Sequence, residues 1–202
     1  MSFVTYSHVT TGSRVRQRQM YNALKAVRGG HFDEQVMKDQ DYTTAVVTLV
    51  PTAGQAETLA LDGGIPADTL HVTMAFLGEA DEAAMSREEV VERLSIDWPG
   101  PVTADAFAHG VFNPDDPERE PATVLLLQSE EFAQLRPHIV ELVGDESGFP
   151  IWVPHMTLGY NLTDVDKEEL VQRTGPITFD RIAVMWGGDI THIPLTSDPE
   201  NA

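Results

Sequence analysis

The feature that most constrains this chain is one tripeptide set twice into β-type runs. His71-Val72-Thr73 opens HVTMAFLG, and His155-Met156-Thr157 opens HMTLGY. A strand alternates its faces with period two, so His71, Thr73 and Ala75 are expected on one face and Val72, Met74 and Phe76 on the other. The second run puts His155, Thr157 and Gly159 together, with Met156, Leu158 and Tyr160 opposite. Each strand thus reads as an apolar side for a helix-covered core and a polar floor with room above Ala75 and Gly159. Phe76 and Tyr160 are expected in the core. A third copy, His8-Val9-Thr10, lies between Tyr-Ser and Thr-Gly-Ser with no apolar run after it, and is expected to be coincidental.

Paired His-x-Thr strands suit phosphodiester chemistry. Breaking a phosphodiester takes a proton from the attacking oxygen and gives one to the leaving oxygen. An imidazole, titrating near ~6.5, does either close to neutral pH. Two across one phosphate serve as base and acid in a single step, and the threonine two residues on offers a hydroxyl to a non-bridging oxygen. The chain has no cysteine, no His-x-x-x-His and no acidic cluster beside either histidine, so neither a metal nor another cofactor is expected. A single such tripeptide is ordinarily structural, with Thr chosen for its strand propensity. The matched pair carries the functional reading.

The rest of the chain supplies a frame. Residues 1–40 read as an extension with a basic helix over 13–27, ended by Gly29-Gly30. Strands are expected at 44–50, 70–77, 102–112, 123–128, 153–160 and 177–186. Helices are expected at 55–61, 86–94, 129–143, where Ser129 caps, and 163–173, where Thr163 and Asp166 resemble a capping box. Asn113–Pro121, with three prolines, is a surface loop. The body spans 41–190 and the tail 191–202. Alternating strand and helix runs, with similar motifs on two strands, point to an α+β fold of two lobes, each with a small antiparallel sheet.

HVTMAFLG and PHMTLGY resemble the paired motifs of the two-histidine (2H) phosphoesterase superfamily, which includes the LigT-like RNA 2′,3′-cyclic phosphodiesterases once named 2′-5′ RNA ligases. The resemblance covers roughly 41 to 190. It implies a bilobal α+β fold with pseudo-two-fold symmetry, two small antiparallel sheets with outer helices, and a central groove in which His71, Thr73, His155 and Thr157 are catalytic. The phrase Asp68-Thr-Leu-His71 also resembles LigT-like domains carried by actinobacterial phages, and ten Arg against three Lys fits a high-GC genome. Its implied setting is the host cytoplasm.

Charge narrows the substrate. Formal net charge is −19, and residues 1–28 hold five basic residues and no acid, which leaves −24 on the remainder. Such a body repels polyanions, so the expected partner is a small nucleotide or short oligonucleotide rather than long nucleic acid. Candidates are a cyclic oligonucleotide signal, a short 2′-5′ or 3′-5′ oligonucleotide, or a 2′,3′-cyclic phosphate. No apolar run is long enough for a membrane span and no signal peptide is evident, so a cytoplasmic protein is expected. Trp152 is a candidate to stack a base at the groove rim, with core packing as the alternative, and Phe112 is a second candidate. His31, His109, His138 and His192 read as surface or core fillers. The rival readings are a non-catalytic module that binds a nucleotide or RNA end within a larger assembly, and a metallophosphoesterase. The sequence names no partner for the N-terminal helix.

Overall fold

The computed structural model describes residues 43–116, 120–148, 151–162 and 165–195. The expected basic helix, the rest of the N-terminal extension and the His8 tripeptide lie outside these residues. Among the described residues there are seven strands: β1 (Thr44–Pro51), β2 (Val72–Glu79), β3 (Val102–Phe112), β4 (Ala122–Gln128), β5 (His155–Tyr160), β6 (Gly175–Trp186) and β7 (Asp189–Pro194). The helices described with them are α1 (Ala53–Leu59), α2 (Arg87–Leu94), α3 (Glu130–Val143) and α4 (Lys167–Gln172), with a short 3₁₀ turn at Ala67–Thr69.

The strands form one antiparallel sheet in the order β1-β2-β5-β4-β3-β6-β7, with β1 also paired to β6. Two small separate sheets were expected, and the difference lies in β6. Its first half pairs with β3 and its second half lies between β1 and β7, so one twelve-residue strand joins the lobes. On the other side the lobes meet at a single pair, Val72 with Met156. The bilobal α+β arrangement holds, welded on one side and barely joined on the other. β7 was not expected; its short polar-apolar mixture hid it, and it crosses the boundary drawn at residue 190.

Helices begin where the side chains dictate. Ser86 closes a capping box with Glu89 at α2, and the Ser129 hydroxyl accepts from Phe132 N–H at α3. At α4 the cap is Asp166, whose carboxylate accepts from Glu168 N–H. α3 packs on β2 and β3, and α2 packs on α3, β6 and β7. Phe132, fully buried, sits edge-on to Phe179 at 5.3 Å and helps unite the two lobes in one core with Val72, Leu125, Met156 and Ile182. Burying a side chain of that size stabilises by about 1.5–3 kcal/mol.

Bulges then overturn the simple alternation. β1 pairs Thr48 with Thr73 and Val47 with Ala75, so Met74 is an extra residue in β2. β4 pairs Val124 with Thr157 and Thr123 with Gly159, so Leu158 is an extra residue in β5. Each bulge lies one residue past its threonine and flips the faces beyond it. Ala75 is therefore in the core beside Val47, while Phe76 shares the face of Thr73, the reverse of the expectation. Gly159 likewise turns away from Thr157, and Tyr160 joins the histidine face beside Ala122. No room lies above Gly159: a Cβ there would stand 2.6 Å from Leu162 Cδ1 and 3.0 Å from Gly64 Cα.

A candidate two-histidine active site

The lone pairing of Val72 with Met156 settles how the two motifs meet. Both residues are fully buried and are the middle members of their tripeptides. An antiparallel register through them sets His71 beside Thr157 and Thr73 beside His155, all on the face opposite the core. The two histidines and two threonines thus share one surface across the lobe junction, and each is half-buried. His155 lies near enough for its charge to disfavour a proton on His71.

The two imidazoles are held in the same way. His71 Nδ1 lies 2.7 Å from the carbonyl of Thr69, and His155 Nδ1 lies 2.8 Å from the carbonyl of Val153. A carbonyl only accepts, so each Nδ1 carries the proton, and the lone pair of each neutral ring is on Nε2. Neutral, Nε2 is a base; protonated, it is an acid. Burial pushes His71 below its ordinary range, the Thr69 carbonyl opposes that, and His155 adds a smaller push down. Burial also pushes His155 down, opposed by the Val153 carbonyl.

Trp152 holds the first motif in place. It is half-buried against the core, and its indole N–H donates to the carbonyl of Thr73 at 3.1 Å. The guanidinium of Arg136 covers its ring at 4.9 Å. Arg136 in turn pairs with Asp145 at 2.6 Å, and Asp145 accepts the N–H of Phe76 at 3.1 Å. Beyond Val72 the β5 side of β2 pairs with no further strand among the described residues; the indole, the Asp145 carboxylate and the N–H of Glu146, donated to the Phe76 carbonyl at 2.7 Å, bond to it there. Phe112 meets the His155 ring edge-on at 4.8 Å and clusters with Ala122, Val124, Leu126 and Tyr160. Arg136 and Asp145 escaped the sequence reading because nothing local marks two residues on and after α3 as partners of a strand about sixty positions away.

Among the described residues, no three His, Asp or Glu side chains gather into a group that could hold a metal ion, and no helix is long and apolar enough to cross a membrane.

Two lobes that present one His-x-Thr each to a shared face match the bilobal two-histidine phosphoesterase fold. The chain belongs to the 2′-5′ RNA ligase superfamily, whose family model matches residues 45–190. A comparison with curated proteins gives no match. Among solved structures, Usb1 of Kluyveromyces marxianus aligns at 12% identity and a TM-score of 0.51, over 76% of this chain and 98% of that one. LigT of E. coli complexed with NADP+ aligns at 18% identity and a TM-score of 0.46, over 76% and 95%. TT0787 of Thermus thermophilus aligns at 18% identity and a TM-score of 0.43, over 76% and 95%. At such identities the likeness to Usb1 speaks for fold alone.

Proposed function

We propose that this protein is a metal-independent phosphodiesterase that cleaves a small nucleotide substrate by two-histidine acid–base catalysis. The observation that carries the reading is the matched pair of Nδ1–carbonyl bonds, which gives both imidazoles, set on one face by the Val72–Met156 pairing, the same tautomer. Family membership supports activity on RNA phosphodiesters.

In this reading the scissile phosphate lies between the imidazoles. One Nε2 takes the proton of a ribose 2′-OH as its oxygen bonds to phosphorus. The other Nε2–H gives its proton to the departing 5′ oxygen as the P–O5′ bond breaks, leaving a 2′,3′-cyclic phosphate and a 5′-OH. With water opening a 2′,3′-cyclic phosphate, the roles reverse. Each proton transfer is worth about 10²–10⁴-fold. The hydroxyls of Thr73 and Thr157 steady the non-bridging oxygens as charge builds. The acidic body selects short substrates, and the cytoplasm is its setting.

The test is incubation with cyclic di- and trinucleotides, 2′-5′ and 3′-5′ dinucleotides and 2′,3′-cyclic mononucleotides in EDTA, with products identified by mass. Turnover lost in His71→Ala and in His155→Ala supports the reading. Turnover that requires added Mn²⁺ or Zn²⁺ sinks it, as does binding without turnover across the whole panel.

A further inference from the structure

The histidine face is unlike on its two sides. On the side of β5, β4 and β3 the register lines up His155, Thr157 and Tyr160 with Leu126, Val124 and Ala122, then with Ala108, Gly110 and Phe112. That side is apolar. On the side of β2, β1, β6 and β7, the same rule lines up Thr73 with Thr48, Ala183 and His192, and sets His71 in one row with Val50 and Arg181. Arg181 is the one Lys or Arg that the described strands direct to this face.

A third bulge puts it there. β1 pairs Val50 with Arg181 and Pro51 with Phe179, so Asp180 is the extra residue in β6. Ile177 and Phe179 face the core before it, and Ile182 and Val184 face the core after it. Without the bulge, Arg181 would follow Ile177 and Phe179 into the core; with it, the residue lies on the face of the sheet that carries the histidines. An ion pair with Asp180 at 2.6 Å does not account for the position, because the partners are 25% and 37% exposed and such pairs contribute little. On the neighbouring strand His192 pairs with Ala183, two residues from Arg181; burial holds His192 below its ordinary range, the charge of Arg181 adds to that and Asp180 opposes it.

We propose that Arg181 forms a second phosphate subsite on the β6 side of the groove, so that the substrate carries a further phosphate one nucleotide from the scissile one. The proposal rests on the two-histidine reading of the groove. Arg181 stands two strands from His71, about 10 Å between backbones, and a guanidinium reaching back along the row meets a phosphate next to the scissile one. Its planar fork suits a phosphate. In a body of such negative charge, a local donor of this kind is what a nucleotide needs. A 2′,3′-cyclic mononucleotide, with one phosphate, leaves the subsite unused; a short oligonucleotide fills it.

The experiment is calorimetric binding of d(ApA), d(pApA) and d(ApAp), which lack the 2′-OH and so resist cleavage by transesterification. The proteins are the full chain, Arg181→Ala and Arg181→Lys, with the fold of each variant checked by thermal melting. One phosphorylated probe is expected to bind the unaltered protein about tenfold more tightly than d(ApA). That advantage disappears in Arg181→Ala and is partly kept in Arg181→Lys. If neither added phosphate tightens binding, or if the gain survives loss of the guanidinium in both variants, the subsite is refuted while the two-histidine reading stands. If no probe binds at all, the subsite is refuted together with the groove, and turnover of the ribonucleotide panel shows separately whether the catalytic reading fails too. Should Arg181→Ala not fold, Arg181→Lys decides: a gain equal to that of the unaltered protein refutes the fork.

Discussion

Histidine function here depends on which nitrogen carries the proton of the neutral ring and how readily the other takes one. The carbonyls of Thr69 and Val153 answer the first question for both residues. Burial answers the second, holding both below the ordinary range. A depressed pKa means that near pH 7 both imidazoles of the free protein are mostly neutral, so the general acid is the scarce form. Lowering the pH supplies it until the base is protonated as well. The pH profile of kcat/KM is therefore expected to be a bell with its maximum on the acid side of about 6.5. His71→Ala and His155→Ala should each lower kcat by about 10²–10⁴-fold, with the double variant little worse, because the pair acts as a unit. Thr73→Val and Thr157→Val should be milder. A maximum well above neutral, or losses that multiply in the double variant, would show that the two rings do not share one step.

At the scale of elements, the strands matter for their irregularities. Trp152 ties the approach to the second motif to the carbonyl of Thr73 in the first. Trp152→Phe keeps the ring against Phe132 and Arg136 but removes the N–H, and should cost about 1 kcal/mol of stability. In our reading the displaced Thr73 also lowers kcat more than it raises KM; an unchanged kcat would reduce Trp152 to packing. Gly159→Ala tests the bulge in β5. Its Cβ would meet the Gly64 backbone and Leu162, so a loss of about 1–3 kcal/mol is expected in chemical denaturation. Had Gly159 faced the open floor, as strict alternation implied, the change would be nearly neutral. This is where sequence stopped being legible. That His71 and Thr73 share a face, and His155 and Thr157 likewise, was readable because each pair lies before its bulge, within two residues of a strand start. Phe76 and Tyr160 were not, because one inserted residue reverses every face beyond it and Met74 and Leu158 look like ordinary apolar strand residues. Arg181 was hidden by the same device at Asp180.

For the molecule as a whole, the pairing of lobes was legible and their joining was not. Like motifs on two strands implied two halves, but nothing in β6 announces a strand shared by both, since its alternating first half and its apolar second half each read as part of an ordinary strand. The bulk charge, by contrast, is fully readable and leads to a test on the intact protein. At −19, the chain repels a polyanion over roughly a Debye length, about 30 Å at 0.01 M ionic strength and about 8 Å at 0.15 M. A dinucleotide with one or two charges senses little of this; a long single strand senses all of it. Raising salt across that range should therefore increase kcat/KM on a thirty-nucleotide RNA while leaving a dinucleotide nearly unchanged. That is opposite in sign to proteins that grip nucleic acid by releasing counterions. The contact with Arg181 is a single charge pair, so it gives the dinucleotide at most a shallow decline. A steep fall with salt on the long RNA would mean that the five basic residues of 1–28 recruit RNA against the field of the body. Removing residues 1–28 should then abolish that fall, and the preference for short substrates would have to be abandoned.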